Sequence, residues 1–273
     1  MSFVPLLKET DLSDTSRLNT LAQKFSTARP FPHLVMDGMF SHALLNEALQ
    51  EFNLDHVNNI NLFQNQLQSK RSTSTKSVMP EAIQRYFDIV NGAPFLRLLT
   101  RLTGITNLLP DPYLYGGGMH EVAGQGHFQV HTDFRHHPHT GLENRLVLLT
   151  YLNHDWKPEY GGQLELWQNN PPRPVRKIVP QFGSSVLMLQ SPDSWHGHPQ
   201  AVRAGYLRRT LITYFYTAPK IKADRTAQDT IYLTNSRQST MQMAEILMRN
   251  ILPYFIIDTA KWIRHRKRRH NFK

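Results

Sequence analysis

His131 and Asp133, in "FQVHTDF", stand two residues apart. In an extended chain such residues leave the same face of a strand, so a histidine nitrogen and a carboxylate oxygen can grip one metal ion. The pair alone is a weak signal, because surface turns carry such pairs too. Its surroundings strengthen it. Far along the chain, His196 in "SPDSWHGHPQAV" follows the apolar run "SSVLML", and Arg208 and Arg209 open "RRTLITYFYT". Two histidines and one carboxylate on one face of an iron leave three adjacent positions free. Non-haem Fe(II) oxygenases need all three, since a chelating cosubstrate fills two and O2 the third. An arginine beyond the metal would hold the far end of a dicarboxylate, its planar fork matching a carboxylate bidentately. His198, two residues past His196, is a competing ligand candidate on the same face.

These residues need a scaffold that brings distant segments together. Apolar runs broken by Gly, Pro and Asn predict strands at 112–122, 127–132, 145–152, 162–167, 174–179, 184–190 and 207–217, the rhythm of an all-β sandwich or barrel. Tight turns are expected at "YGG" (160–162) and "QFG" (181–183). Ahead of them, "SHALLNEALQEF" is a helix capped by Ser41, with Leu44, Leu45, Ala48, Leu49 and Phe52 on one stripe. Pro80 suits the first turn of a second helix, and Gly104 ends a third, "APFLRLLTRLTG". Residues 64–80 are almost wholly polar and read as a mobile loop. The order, helices and then strands, predicts an α+β fold with helices buttressing a jelly roll. Three regions follow: a loosely held polar leader at 1–30, a domain at 31–219 with helical support over 31–110 and a jelly-roll core over 111–219, and a helical tail with a basic end at 220–273.

Composition narrows the function classes. Apolar residues make up 40% and aromatics 10% of 273 residues, enough for a core of enzyme size. There is no cysteine, which excludes disulfides, thiolate metal sites and cysteine nucleophiles. No apolar run reaches membrane-spanning length and the first twenty residues lack a signal-like apolar segment, so a cytoplasmic location is expected. The formal charge of +10 is concentrated: seven Lys or Arg and no acid lie between Lys261 and Lys273, leaving 24 basic against 21 acidic residues elsewhere. A basic tail is weaker grounds for nucleic-acid binding than a basic folded face, so no specific nucleic acid is expected. The sharper alternative to a solvated helix end is weak contact with a membrane surface or polyanion.

The segments "LTGITNLLPDPYLYGGGMHEV", "VHTDF", "YLNHDWKPEYGGQLELW" and "SWHGHPQAV…RRTLITYFYT" resemble, in order and texture, iron(II)/2-oxoglutarate-dependent dioxygenases of the prolyl 4-hydroxylase-like superfamily. The resemblance spans roughly residues 31–219. It implies a double-stranded β-helix (jelly-roll) core, with Fe(II), 2-oxoglutarate and O2 as cofactor and cosubstrates and succinate and CO2 as products. It matches His131, Asp133 and His196 to the iron ligands, and Arg208 to the arginine that holds the distal carboxylate of 2-oxoglutarate. Tyr151 matches a tyrosine on that same carboxylate, and Leu149 and Leu164 form apolar walls for its chain. One departure stands out: where relatives often carry a tyrosine, ten residues before the first histidine, this chain has Glu121 with His120 adjacent. The partners implied are 2-oxoglutarate and a peptide or small-molecule substrate, with hydroxylation of a proline residue or a related unactivated C–H bond as the expected reaction.

The rival classes are a non-oxidative cupin-like metal isomerase or hydrolase, which needs no buried dicarboxylate clamp, and a basic-tailed binding protein. His136, His137 and His139, in a polar loop, read as solvent-facing or substrate-edge residues, and His154 as a turn residue. Gly116–Gly118 fits close strand packing better than a phosphate cradle, because no Lys-Ser or Lys-Thr helix follows.

Overall fold

Leu146 and Leu148 of strand β6 (Glu143–Tyr151) turn to one side and pack with helices, while Val147, Leu149 and Tyr151 turn to the other and pack between sheets. This period-2 alternation lays down both halves of the core. The computed structural model describes residues 14–219, 230–233 and 240–251. Expectations for the basic tail at 261–273 and for residues 1–13 lie outside the described residues.

Two antiparallel sheets enclose the inner side. The larger runs in the order β1 (His33–Asp37), β9 (Ser184–Leu189), β6, β11 (Leu207–Thr217), β4 (Gly118–Ala123), β3 (Ser69–Thr73), β2 (Ile60–Gln64). The smaller runs β12 (Ile231–Tyr232), β5 (Phe128–Thr132), β10 (Trp195–His198), β7 (Leu164–Gln168), β8 (Arg173–Ile178). From β4 to β11 the chain passes repeatedly from one sheet to the other, the winding of a double-stranded β-helix.

Helices α1 (Thr15–Thr27), α2 (His42–Glu51), α3 (Glu81–Asn91) and α4 (Ala93–Thr103) cover the outer face of the larger sheet. Ser41 caps α2 by accepting from the Leu44 N–H, and Gly104 ends α4 in the left-handed region at φ 72°. The Tyr86 hydroxyl on α3 donates to Thr150 Oγ1 on β6 at 2.8 Å, and Thr150 in turn bonds Ser185 on β9. A further helix, α5 (Thr240–Ile251), follows β12.

Two expectations need correction. Within the leader, residues 15–27 form α1, capped by Asp14 and held to the core through Leu18 and Phe25. The polar stretch 64–80 is no loop at its start: β2 and β3 form a hairpin whose turn is set by Asn65, its Oδ1 accepting from the Leu67 and Gln68 N–H groups. The hairpin was hidden because its inner face meets a polar cavity, so apolar alternation is missing. Strand β10 was also absent from the expected strands, since "WHGH" is short and has no apolar pattern.

The "GGG" stretch does mark close packing. A Cβ on Gly117 would stand 2.6 Å from the Ile212 carbonyl oxygen, and one on Gly118 would meet the Thr73 hydroxyl at 2.0 Å. Among the described residues, no helix is long and apolar enough to cross a membrane.

Candidate metal centre

His131 on β5 and His196 on β10 are partners across the ladder between those strands. Asp133 follows directly after β5. Each histidine ties its Nδ1 to a backbone carbonyl two residues earlier, His131 to Gln129 at 2.7 Å and His196 to Ser194 at 2.9 Å. That bond fixes the Nδ1–H tautomer and turns the Nε2 lone pair inward. The two Nε2 atoms stand 3.3 and 3.5 Å from different oxygens of the Asp133 carboxylate. One donor atom from each of the three residues lies within 4.8 Å of the others.

The electrostatics suit a cation. Burial on its own would raise the Asp133 carboxyl, but His196 and His131 beside it hold it well below the usual carboxylate range. Among the described residues, its Oδ2 is buried without a hydrogen-bond partner. Burial lowers His196, which favours the neutral ring that a metal requires. A buried carboxylate with an unsatisfied oxygen, and two imidazole nitrogens aimed at it, fit a divalent metal with open positions.

The three residues line a cavity of about 440 Å³, shared with Leu149, Leu164 and Arg208. The Arg208 guanidinium is fixed from behind: Nε donates to the Gly162 carbonyl at 2.8 Å and Nη1 to Thr210 Oγ1 at 3.0 Å. Gly162 is required there, since a Cβ would stand 3.0 Å from Arg208 Cδ. Tyr151 is fully buried behind this wall and is not one of the lining residues. Its ring centre lies 5.1 Å from the guanidinium carbon, and its hydroxyl interacts electrostatically with Arg208.

Other expected residues are sorted by the same alternation. His198 lines the cavity, yet it falls outside the three-residue donor cluster. Of the neighbours on β4, His120 faces the cavity while Glu121 is buried on the other side of the sheet and pairs with Arg71. Burial, with Lys70 nearby, lowers His120 to about 3, so its ring is neutral. His154 stacks on Phe182 at 3.9 Å, away from the cavity. His137 corrects the expectation for its loop. It is 4% exposed, accepts from the His139 and Thr140 N–H groups, and packs edge-on against Tyr216.

Lys70, Phe128, Tyr214 and Tyr232 also line the cavity and were not singled out in the sequence. Lys70 had a signal of a kind: once "SKRST" is a strand, Lys70 and Ser72 must share a face opposite Arg71. Tyr232 had none, being on a two-residue strand far from the motif.

Residues 117–217 match the family model described as the 2OG-Fe(II) oxygenase superfamily. That segment, a little over a third of the chain, is therefore similar to the 2OG-Fe(II) oxygenase superfamily, and it holds His131, Asp133, His196 and Arg208. The fold agrees with solved structures of low identity. A prolyl hydroxylase from Trichoplax adhaerens, solved with a peptide of the hypoxia inducible factor oxygen degradation domain, is 19% identical with a TM-score of 0.56, over 77% of this chain and 93% of that one. A prolyl-4-hydroxylase from Pseudomonas putida is 16% identical with a TM-score of 0.51, over 74% and 99%. A non-heme alpha ketoglutarate dependent epimerase from nogalamycin biosynthesis is 13% identical with a TM-score of 0.54, over 82% and 98%. The comparison with curated proteins gives no match. The matched family implies Fe(II), 2-oxoglutarate and O2, and the His131–Asp133–His196 cluster is present to hold the metal.

Proposed function

We propose that this oxygenase hydroxylates an unactivated C–H bond, in a proline residue or a related substrate. For each hydroxyl group delivered, one O2 and one 2-oxoglutarate are consumed and succinate and CO2 are released. The observation that carries this reading is the meeting of His131, Asp133 and His196 in the same cavity as Arg208. A metal isomerase or hydrolase has no use for a buried guanidinium of this kind.

In this reading His131, Asp133 and His196 hold Fe(II), which when bound supplies the O2 activation and oxidising power the side chains lack. The backbone carbonyls of Gln129 and Ser194 keep both imidazoles oriented. Arg208, held by Gly162 and Thr210, receives the distal carboxylate of 2-oxoglutarate, and Tyr151 supports its guanidinium from behind. Leu149 and Leu164 exclude water along the cosubstrate's carbon chain. The inner face of the β2–β3 hairpin forms one substrate wall.

Solved structures of hydroxylases and of an epimerase share this fold, so the fold leaves the substrate open. The test is succinate formation from 2-oxoglutarate by Fe(II)-loaded protein, screened against prolyl peptides and small metabolites. Protein that never consumes the keto acid would sink the proposal.

A further inference from the structure

Lys70 and Arg71 are consecutive on β3 and meet opposite electrostatic fates. Arg71 faces out and has two carboxylate partners, Asp55 and Glu121. Lys70 faces the cavity and, among the described residues, has no carboxylate within salt-bridge distance and no hydrogen-bond partner. Its Nζ sits 3.8 Å from the centre of the Phe128 ring and 5.4 Å from that of Phe63. Phe128 in turn stacks on His131 at 3.8 Å, which sets the ammonium beside the metal centre. An aromatic face offsets part of the desolvation cost of a cation but supplies no counter-charge. Burial pulls Lys70 down to about 8, so it remains an ammonium at neutral pH.

The remaining charges of the cavity are already matched. Among the described residues, its fully charged side chains are Lys70, Asp133 and Arg208. In the complex proposed above, Asp133 and one carboxylate of 2-oxoglutarate face Fe(II), and the other carboxylate faces Arg208. Lys70 is left over. Around it the hairpin presents Asn61, Gln68 and Ser72 to the cavity, groups that can bond an anion's remaining oxygens.

Resting on that reading, we infer that Lys70 is a specificity residue that binds an anionic group of the primary substrate, a carboxylate placed close to the carbon that is hydroxylated. The substrate class is therefore acidic: a free amino or imino acid, or a peptide with a carboxylate beside the reacting residue. A neutral substrate of the same shape would leave the ammonium desolvated and unpaired, which costs affinity and so discriminates against it.

The test uses the full chain loaded with Zn(II) and the inert cosubstrate analogue N-oxalylglycine. N-acetylproline and its primary amide match in size and differ by one negative charge, and NMR titration observed on the ligand reads both affinities. Wild-type protein is expected to prefer the acid by about tenfold, and Lys70→Met to bring the ratio within about twofold. Lys70→Arg should restore most of the preference, and Lys70→Gln replaces Lys70→Met if thermal melting shows that variant unfolded. In a parallel anaerobic titration, the charge-transfer band of the Fe(II)–2-oxoglutarate complex should give cosubstrate affinities for Lys70→Met within about threefold of wild type. A wild type without preference for the acid, or a Lys70→Met that keeps it, overturns the inference. So does a Lys70→Met that weakens 2-oxoglutarate by more than about tenfold, since the lysine would then belong to the cosubstrate. Absence of the charge-transfer band from wild type would overturn the oxygenase reading itself, and the inference with it.

Discussion

Arg208 and Arg209 are adjacent on β11 and point to opposite sides of the sheet. The first enters the cavity, while the second places its guanidinium 5.9 Å from the centre of the Phe52 ring beneath the helices. Arg208→Ala should raise the KM for 2-oxoglutarate by roughly 100-fold, the scale of removing one partner of a buried charge pair. Arg209→Ala should leave that KM near wild type and lower the melting temperature instead. Steady-state kinetics with varied 2-oxoglutarate checks both, and the reverse pattern would exchange the roles.

His196 and His198 lie on one short strand and differ in what they can reach. His196→Ala removes one of three converging donors and should weaken divalent metal binding by more than about 100-fold, beyond the usual effect of a residue outside the ligand set. His198→Ala should change metal affinity by less than about tenfold, because its ring stands outside the donor cluster. Isothermal titration with Mn(II) or Zn(II) separates the two.

Acid should loosen the metal-free protein earlier than surface charge would suggest. Burial depresses His120 to about 3 and lowers His198 as well, so these rings bind fewer protons folded than unfolded. Their stabilising effect is complete above the unfolded value of about 6.5 and is lost as pH falls from there toward the folded values. Each can contribute up to about 1.4 kcal/mol per pH unit in that window. His120→Asn should flatten the decline in unfolding free energy between pH 6.5 and 4.5, measured by denaturant titration.

The hydroxyl of Tyr86 joins α3 to two strands through Thr150 and Ser185. Tyr86→Phe keeps the ring and removes the bond, so it should cost about 1 kcal/mol of stability. Metal affinity should be unchanged, since Thr150 faces away from the cavity.

How much of this was legible in the sequence depends on whether a segment's pattern is apolar. Strands such as β6 and β11 announce themselves through alternating Leu, Val and aromatic residues, and the helix capped by Ser41 has its stripe. Asp133 and the histidines were legible because two-residue spacing on a strand is a geometric statement. The cavity-facing sides of β2 and β3 were not, since Asn61, Lys70 and Ser72 line polar space and so mimic a loop. His137 misled for the opposite reason: a polar sequence surrounds a ring that tertiary packing buries. Tyr151 was found by resemblance, and its hydroxyl meets Arg208 of a neighbouring strand, a pairing that alternation within one strand cannot express.

Strand β12 consists of only Ile231 and Tyr232, and it pairs with Thr132 and His131 along the free side of β5. Together with the β2–β3 hairpin, it contributes cavity wall from outside residues 117–217. Trimming the protein to that shared segment would therefore keep all three metal donors but leave the first donor's strand with a bare, adhesive margin. The wall of the cavity is wider than the segment of kinship.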